Sequence, residues 1–258
     1  MSARGTIFGG SSDAYDRFMG RYSTQLAKEF ADFAGVLSPQ HAVDVGAGTG
    51  ALTAELVRRL GEESVAAAEP SPDYAATLRT RFPRADVREA PAEELPWEDE
   101  SFDSALAQLV VVFLNDAPGA VRELARVTCS GGVVATCMWE VEGVEMMNAL
   151  NEIRRRLSPE GSTLVTDYRD EGSLRTLFEE AGLRDVETTR IEVSVDYETV
   201  DELWEPAIHV GGPGGPAVDA FSPEQLVAGR AIFEEALGSP TGSYSLKGRA
   251  AAVRGVTG

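Results

Sequence analysis

A chain of 258 residues with 23 Lys and Arg against 42 Asp and Glu carries a formal charge of −19, a surface that repels phosphate backbones and argues against a nucleic-acid partner. With His41 and His209 as its only histidines, a three-histidine metal centre is excluded, and the all-carboxylate alternative has no ordered motif, so no metal is expected. Cys129 and Cys137 show no metal or redox spacing, no apolar run approaches membrane-spanning length, and a signal-type start is missing, which makes a cytoplasmic protein without membrane partners the expectation.

Residues 1–12 are Gly/Ser-rich and read as a loose lead. Over 15–33, Phe18, Tyr22, Leu26 and Phe30 recur at helical spacing, predicting one or two helices before Pro39 breaks the pattern. Strands are expected at 42–46, 64–69, 86–89, 103–110 and 132–139, alternating with helices near 49–60, 73–82, 117–127 and 145–157. That alternation specifies an α/β fold with a parallel sheet wrapped on both faces by right-handed crossovers. Further on, 157–171 reads as irregular, 173–181 as a short amphipathic helix, 186–195 and 245–253 as strands, and 223–236 as a helix. A single domain over 1–258 is expected, divided into helical segments (1–38), a ligand-binding core (39–140) and a C-terminal part (141–258).

The most informative segment is Val43-Asp44-Val45-Gly46-Ala47-Gly48-Thr49-Gly50, an apolar strand breaking into glycines and re-emerging as a helix. Glycines at 46, 48 and 50 let a ligand approach the backbone, and the helix that follows offers N–H groups and a positive dipole end. An adenosine-containing cofactor suits such a loop. Gly46-x-Gly48-x-x-Ala51 also satisfies the dinucleotide fingerprint, and Glu69, at the end of the next strand, can accept from ribose hydroxyls in either cofactor. An NAD-dependent oxidoreductase therefore stays open at this point.

Later blocks distinguish the two. Ala90-Pro91-Ala92-Glu93-Glu94-Leu95-Pro96-Trp97, Ser101 to Val110, Leu124-Ala125-Arg126-Val127 and Gly131-Gly132-Val133-Val134 follow in order, and Tyr15-Asp16-Arg17-Phe18-Met19-Gly20-Arg21-Tyr22-Ser23 precedes the core. Together these resemble the class I S-adenosylmethionine-dependent methyltransferases, in the small-molecule, ubiquinone/menaquinone-biosynthesis-like branch. The resemblance implies a Rossmann-like doubly wound sheet of seven strands, mostly parallel with one antiparallel strand near the edge. It also implies S-adenosylmethionine as cofactor, S-adenosylhomocysteine as product, and a small-molecule acceptor bound near segments of about 141–172 and 197–240, in a monomer or homodimer. A non-catalytic S-adenosylmethionine-binding protein is the third reading.

Carried onto this sequence, the resemblance has Asp44 order the loop and help hold the methionine amino group, Gly46, Ala47 and Gly48 face the homocysteine part, and Glu69 take the ribose. Pro70 lies against adenine. Where relatives carry an adenine-binding Asp, this chain has Pro91, which has neither side-chain acceptor nor N–H, so recognition passes to the Ala92 N–H and apolar packing, with Glu89 and Glu93 as nearby substitutes. Gln108 faces the methionine chain, Tyr15 and Arg21 close over the cofactor, and Arg21 pairs with its carboxylate. Glu140, Glu142 and Glu145 read as a solvated run. His209, between Trp204 and a Gly/Pro stretch, is the candidate general base.

Overall fold

In the computed structural model the described residues are 19–157, 167–209 and 221–258. They form two compact units. One, the core unit, comprises 23–141, 167–192 and 249–258; the other comprises 19–22, 142–157, 193–209 and 221–248.

The seven strands are β1 (Ala42–Val45), β2 (Val65–Ala68), β3 (Asp86–Arg88), β4 (Phe102–Gln108), β5 (Thr128–Val144), β6 (Arg184–Tyr197) and β7 (Tyr244–Val256), in the sheet order β3-β2-β1-β4-β5-β7-β6. β1 pairs in parallel with β2 and β4, which is why all four of its residues are buried and three of them are apolar. β7 runs against its neighbours. Thr257, just past its end, donates to the carbonyl of Gly132 near the start of β5 at 3.0 Å and accepts from the Arg184 side chain at the start of β6 at 2.9 Å. The expected mixed sheet with one reversed strand is the observed one.

Helix α1 (Arg21–Ala34) buries Tyr22, Leu26, Ala27, Phe30, Ala31 and Ala34, the stripe that its i, i+4 spacing dictates. α2 (Ala51–Leu60) and α3 (Pro72–Arg81) follow β1 and β2, and Ala67, Ala75, Leu78, Phe82 and Val87 form a small core with Ala54 and Val57 packed against it. α4 (Ala117–Val127) starts at Asp116, whose carboxylate accepts from Gly119 N at 2.9 Å, and α6 (Glu171–Glu180) starts at Asp170, which accepts from Gly172 and Ser173. α4 and α6 supply Val121, Leu124, Leu174 and Phe178 to the main core, which also takes Val43, Val45, Ala105 and Ala107 from the sheet.

The second unit contains α5 (Glu145–Leu157), α7 (Asp201–His209) and α8 (Pro223–Ala236). α8 is opened by a full capping box, Ser222 with Gln225. A Cβ at Gly229 would make ordinary van der Waals contact with Ile153 at 3.4 Å and Trp204 at 3.6 Å, so α8 packs on α5 and α7 there. Trp204 packs on Phe233 with ring centroids 5.4 Å apart, under the Arg230 guanidinium. No helix among the described residues is long and apolar enough to cross a membrane.

Several boundaries differ from expectation, among them those of β4 and β5. β4 ends at Gln108, two residues early, because Leu109 takes a positive φ of 62° and Val111–Phe113 turn into a 3-10 helix. β5 begins at Thr128 instead of 132.

Candidate cofactor site

The three glycines after β1 all have positive φ, 72° at Gly46, 55° at Gly48 and 91° at Gly50, yet they serve different ends. A Cβ at Gly46 would stand 2.7 Å from Val110 Cγ2, and one at Gly50 would stand 2.7 Å from Leu78 Cδ2. Those two are glycines because the protein packs against them. At Gly48 a Cβ would meet nothing within 4 Å among the described residues. That is the one place on the loop with room for a ligand against bare backbone.

The loop's donors point inward. Gly46 N and Ala47 N both donate to the carbonyl of Ala68, at 2.8 and 3.1 Å, and Gly48 N donates to Glu69 Oε2 at 2.8 Å. What these residues offer a ligand is therefore open space and carbonyl oxygen, which suits a cationic group better than a phosphate. Glu69 is 6% exposed, and its Oε1 accepts from Ser71 N at 2.9 Å. Burial raises its pKa, and each oxygen keeps a second acceptor site for a hydroxyl. The acid expected to bind ribose is also the clamp that fixes Gly48.

Asp44 is wholly buried. Its Oδ2 accepts from Thr53 Oγ1 at 2.6 Å, and the Thr53 N–H reaches the same carboxyl, so a strand residue caps the first turn of α2, where the N-cap Gly50 has no side chain to do it. Burial pushes the Asp44 pKa up to about 7, the charge of Glu69 adds to the rise, and the Thr53 bonds oppose it. A carboxyl that holds its proton more tightly folded than unfolded contributes most below its usual value of 3.8, and that contribution falls as pH climbs to about 7. Asp44→Asn should remove this dependence. Denaturant melts of the ligand-free protein are expected to show the parent losing stability relative to the variant over that range, by at most about 1.4 kcal/mol per pH unit; parallel pH profiles would refute the assignment.

Gln108, at the carboxyl end of β4, donates from Nε2 to the carbonyl of Ser23 at 3.0 Å, while its buried Oε1 has no partner among the described residues. Pro70 and Pro91 are exposed and Ala92 is buried. Of the suggested substitutes for the missing adenine-binding acid, Glu89 is exposed, and Glu93 Oε1 accepts from Asn115 N at 3.1 Å and Asp116 N at 3.4 Å. Glu93 thus braces the loop after β4.

The core unit therefore brings Asp44, Gly46, Ala47, Gly48, Gly50, Glu69, Pro70, Pro91, Ala92 and Gln108 to the carboxyl ends of β1, β2, β3 and β4. Arg21 lies in the second unit, its guanidinium 4.7 Å over the Tyr197 ring, donating to the carbonyl of Asp196 and 3.7 Å from Glu202. Tyr15, the Gly211–Pro216 stretch and the His209 side chain fall outside the described residues. Trp204 belongs to the helical packing of the second unit.

Of the Glu140, Glu142 and Glu145 run, expected to be solvated, Glu142 and Glu145 are exposed but Glu140 is not. Glu140 is only 14% exposed, pairing with Arg190 at 2.5 Å and Arg249 at 3.7 Å, and Glu145 accepts from Lys247 N at 2.7 Å. Sequence reading also missed Thr53 and Ser71, whose partners Asp44 and Glu69 are recognisable but whose own positions carry no signal. Among the described residues no cluster of three His, Cys, Asp or Glu could hold a metal ion.

An open α/β sheet with a glycine loop after β1 and a buried acid at the end of β2 is an arrangement able to hold a ribose-bearing ligand at the strand ends. The methyltransferase-domain family model matches residues 43–136 of the chain. A malonyl-[acyl-carrier protein] O-methyltransferase of Halorhodospira halophila is 29% identical over 212 residues, 79% of this chain and 70% of that protein. An uncharacterized methyltransferase of Mycobacterium tuberculosis is 35% identical over 125 residues, so the match takes in 48% of this chain and about half, 49%, of that relative. Among solved structures, a Haemonchus contortus phosphoethanolamine N-methyltransferase 2, in complex with phosphomonomethylethanolamine and S-adenosylhomocysteine, has the same fold at a TM-score of 0.58 and 15% identity, covering 95% of this chain and 56% of that one. Residues 43–136 thus match a methyltransferase domain, and these likenesses support a class I S-adenosylmethionine-dependent methyltransferase.

Proposed function

We propose that the protein transfers a methyl group from S-adenosylmethionine to an O, N or C nucleophile of a small molecule, chiefly by proximity and orientation. The observation that carries this reading is the open approach at Gly48 beside the Glu69 carboxylate, itself fixed by two backbone N–H groups. The orphaned Oε1 of Gln108 fits the same ligand. When bound, the cofactor supplies a methyl group activated by its own sulfonium charge.

The protein's work is then positional. Glu69 accepts from the ribose hydroxyls, the Gly46–Gly48 backbone lies against the thioether chain, and Asp44 keeps α2 and the loop in place. Pro91 and the buried Ala92 form the adenine wall without a side-chain acceptor. Holding a nucleophile in line with the methyl carbon removes much of the entropic barrier and calls for few essential side chains. The net charge of −19 favours neutral or cationic acceptors. The similar proteins include an O- and an N-methyltransferase, so likeness does not choose the atom.

Calorimetry tests the reading. S-adenosylmethionine and S-adenosylhomocysteine should bind at micromolar strength and NAD not at all, because the inward-turned loop donors leave little for a pyrophosphate. Binding of NAD with no response to S-adenosylhomocysteine would overturn it, and cofactor binding without turnover across a panel of O, N and C acceptors would favour the non-catalytic alternative.

A further inference from the structure

The connection from β3 to β4, residues 89–101, contains no helix or strand, so its backbone polar groups must be satisfied in some other way. Three successive carbonyls in it accept from arginines. Arg126, in the last turn of α4, donates from Nη2 to Leu95 O and from Nη1 to Trp97 O, both at 2.9 Å, and Arg88 on β3 donates to Pro96 O between them. The other Arg126 hydrogens go to Asp99 at 2.8 Å and, from Nε and Nη2, to the two Glu123 oxygens at 2.8 and 2.9 Å. Every donor of the guanidinium is thus used. Glu123 Oε2 also accepts from Leu95 N at 2.9 Å, so one ion pair on α4 takes both the N–H and the C=O of Leu95.

The start of α4 holds the same segment from its other end. Glu93 Oε1 accepts from the backbone of Asn115 and Asp116, which lead into the helix. Pro91 O accepts from Glu94 N at 3.3 Å, closing a turn around Ala92 and Glu93. Ala92 is 5% exposed, yet its N–H has no partner among the described residues. A buried backbone donor left over in this way is uncommon. With one internal hydrogen bond, the turn takes its position from what grips the chain on either side.

We propose that Arg126, oriented by Glu123, is the positioning residue for base recognition: it fixes the segment from Pro91 to Trp97 so that the Ala92 N–H donates to the hydrogen-bonding edge of adenine. This rests on the function proposed above. Pro91 offers the base no side-chain acceptor, so selectivity depends on where the backbone is held, and Arg126 has no N–H left with which to touch the ligand itself. A lysine could satisfy one carbonyl but not the fork of two.

The test titrates S-adenosylhomocysteine and S-inosylhomocysteine, in which hypoxanthine replaces adenine, into the parent and Arg126→Lys by calorimetry. N1 of hypoxanthine carries a hydrogen where N1 of adenine accepts one, which leaves the Ala92 N–H facing a donor. The parent should therefore prefer the adenine ligand by about tenfold or more. Arg126→Lys keeps a cation at the end of α4, but the preference should fall to about threefold or less, through weaker binding of the adenine ligand. A residue that only supported the fold would lower the melting temperature and weaken both ligands by the same factor. An unchanged preference in the variant, or none in the parent, would overturn the proposal and leave the methyltransferase reading standing. If Arg126→Lys does not melt cooperatively, Glu123→Gln, which keeps an oxygen for Leu95 N and loses the charge that orients the guanidinium, is judged by the same ratio. Failure of the parent to bind S-adenosylhomocysteine would remove both.

Discussion

Gly48→Val should reduce binding of S-adenosylhomocysteine by at least about a hundredfold while the protein still melts cooperatively. The branched side chain would fill the only open approach on the loop, where a Cβ now meets nothing within 4 Å among the described residues. The substitution has a backbone cost as well, since φ is 55° there and a β-branched residue is strained in that region by roughly 1–3 kcal/mol. Such a cost lowers stability but leaves a typical domain folded. Calorimetry alongside a thermal melt separates the two effects. Undiminished affinity would mean that the ligand does not cross Gly48.

Glu69→Ala is the second large effect, and it has two parts. Loss of the ribose contact should weaken cofactor binding by roughly 1.5–3 kcal/mol, the range for hydrogen bonds to a charged group. Gly48 N and Ser71 N, which donate to the two carboxylate oxygens at 2.8 and 2.9 Å, would also lose their acceptor. Each unpaired buried donor costs roughly 1–3 kcal/mol, with the lower end applying because both are only partly buried and water can reach them. A fall in both affinity and melting temperature is expected. Affinity equal to the parent's would exclude Glu69 from ribose recognition, and an unchanged melting temperature would show that the loop is held without it.

Much of the core unit was legible because its signals are local. β1 reads as a short, fully apolar run apart from Asp44, and the α/β alternation through 127 requires only periodicity and punctuation to see. The end of β4 was harder. Leu109-Val110-Val111-Val112-Phe113 is as apolar as a buried strand, but the chain turns at Leu109, and Val111 and Val112 bury themselves in the main core from a 3-10 turn instead. Burial alone does not specify extended backbone. The glycine motif suggested an adenosine-containing ligand, but a one-dimensional pattern does not tell which glycine has open space beside it and which faces Val110 or Leu78. Glu140 was misread for a related reason: its partners Arg190 and Arg249 lie 50 or more positions away and meet it only in the folded sheet.

The loop after β1 is fastened on three sides, to the Ala68 carbonyl, to the Glu69 carboxylate, and through Thr53 to Asp44. None of these ties depends on a ligand. A segment already locked into its binding conformation gives up little conformational freedom when occupied, so more of the contact energy is expressed as affinity. Recognition at this loop should accordingly approach a rigid-body encounter, with amides of Gly46, Ala47 and Gly48 as slow to exchange with solvent in the empty protein as in the filled one.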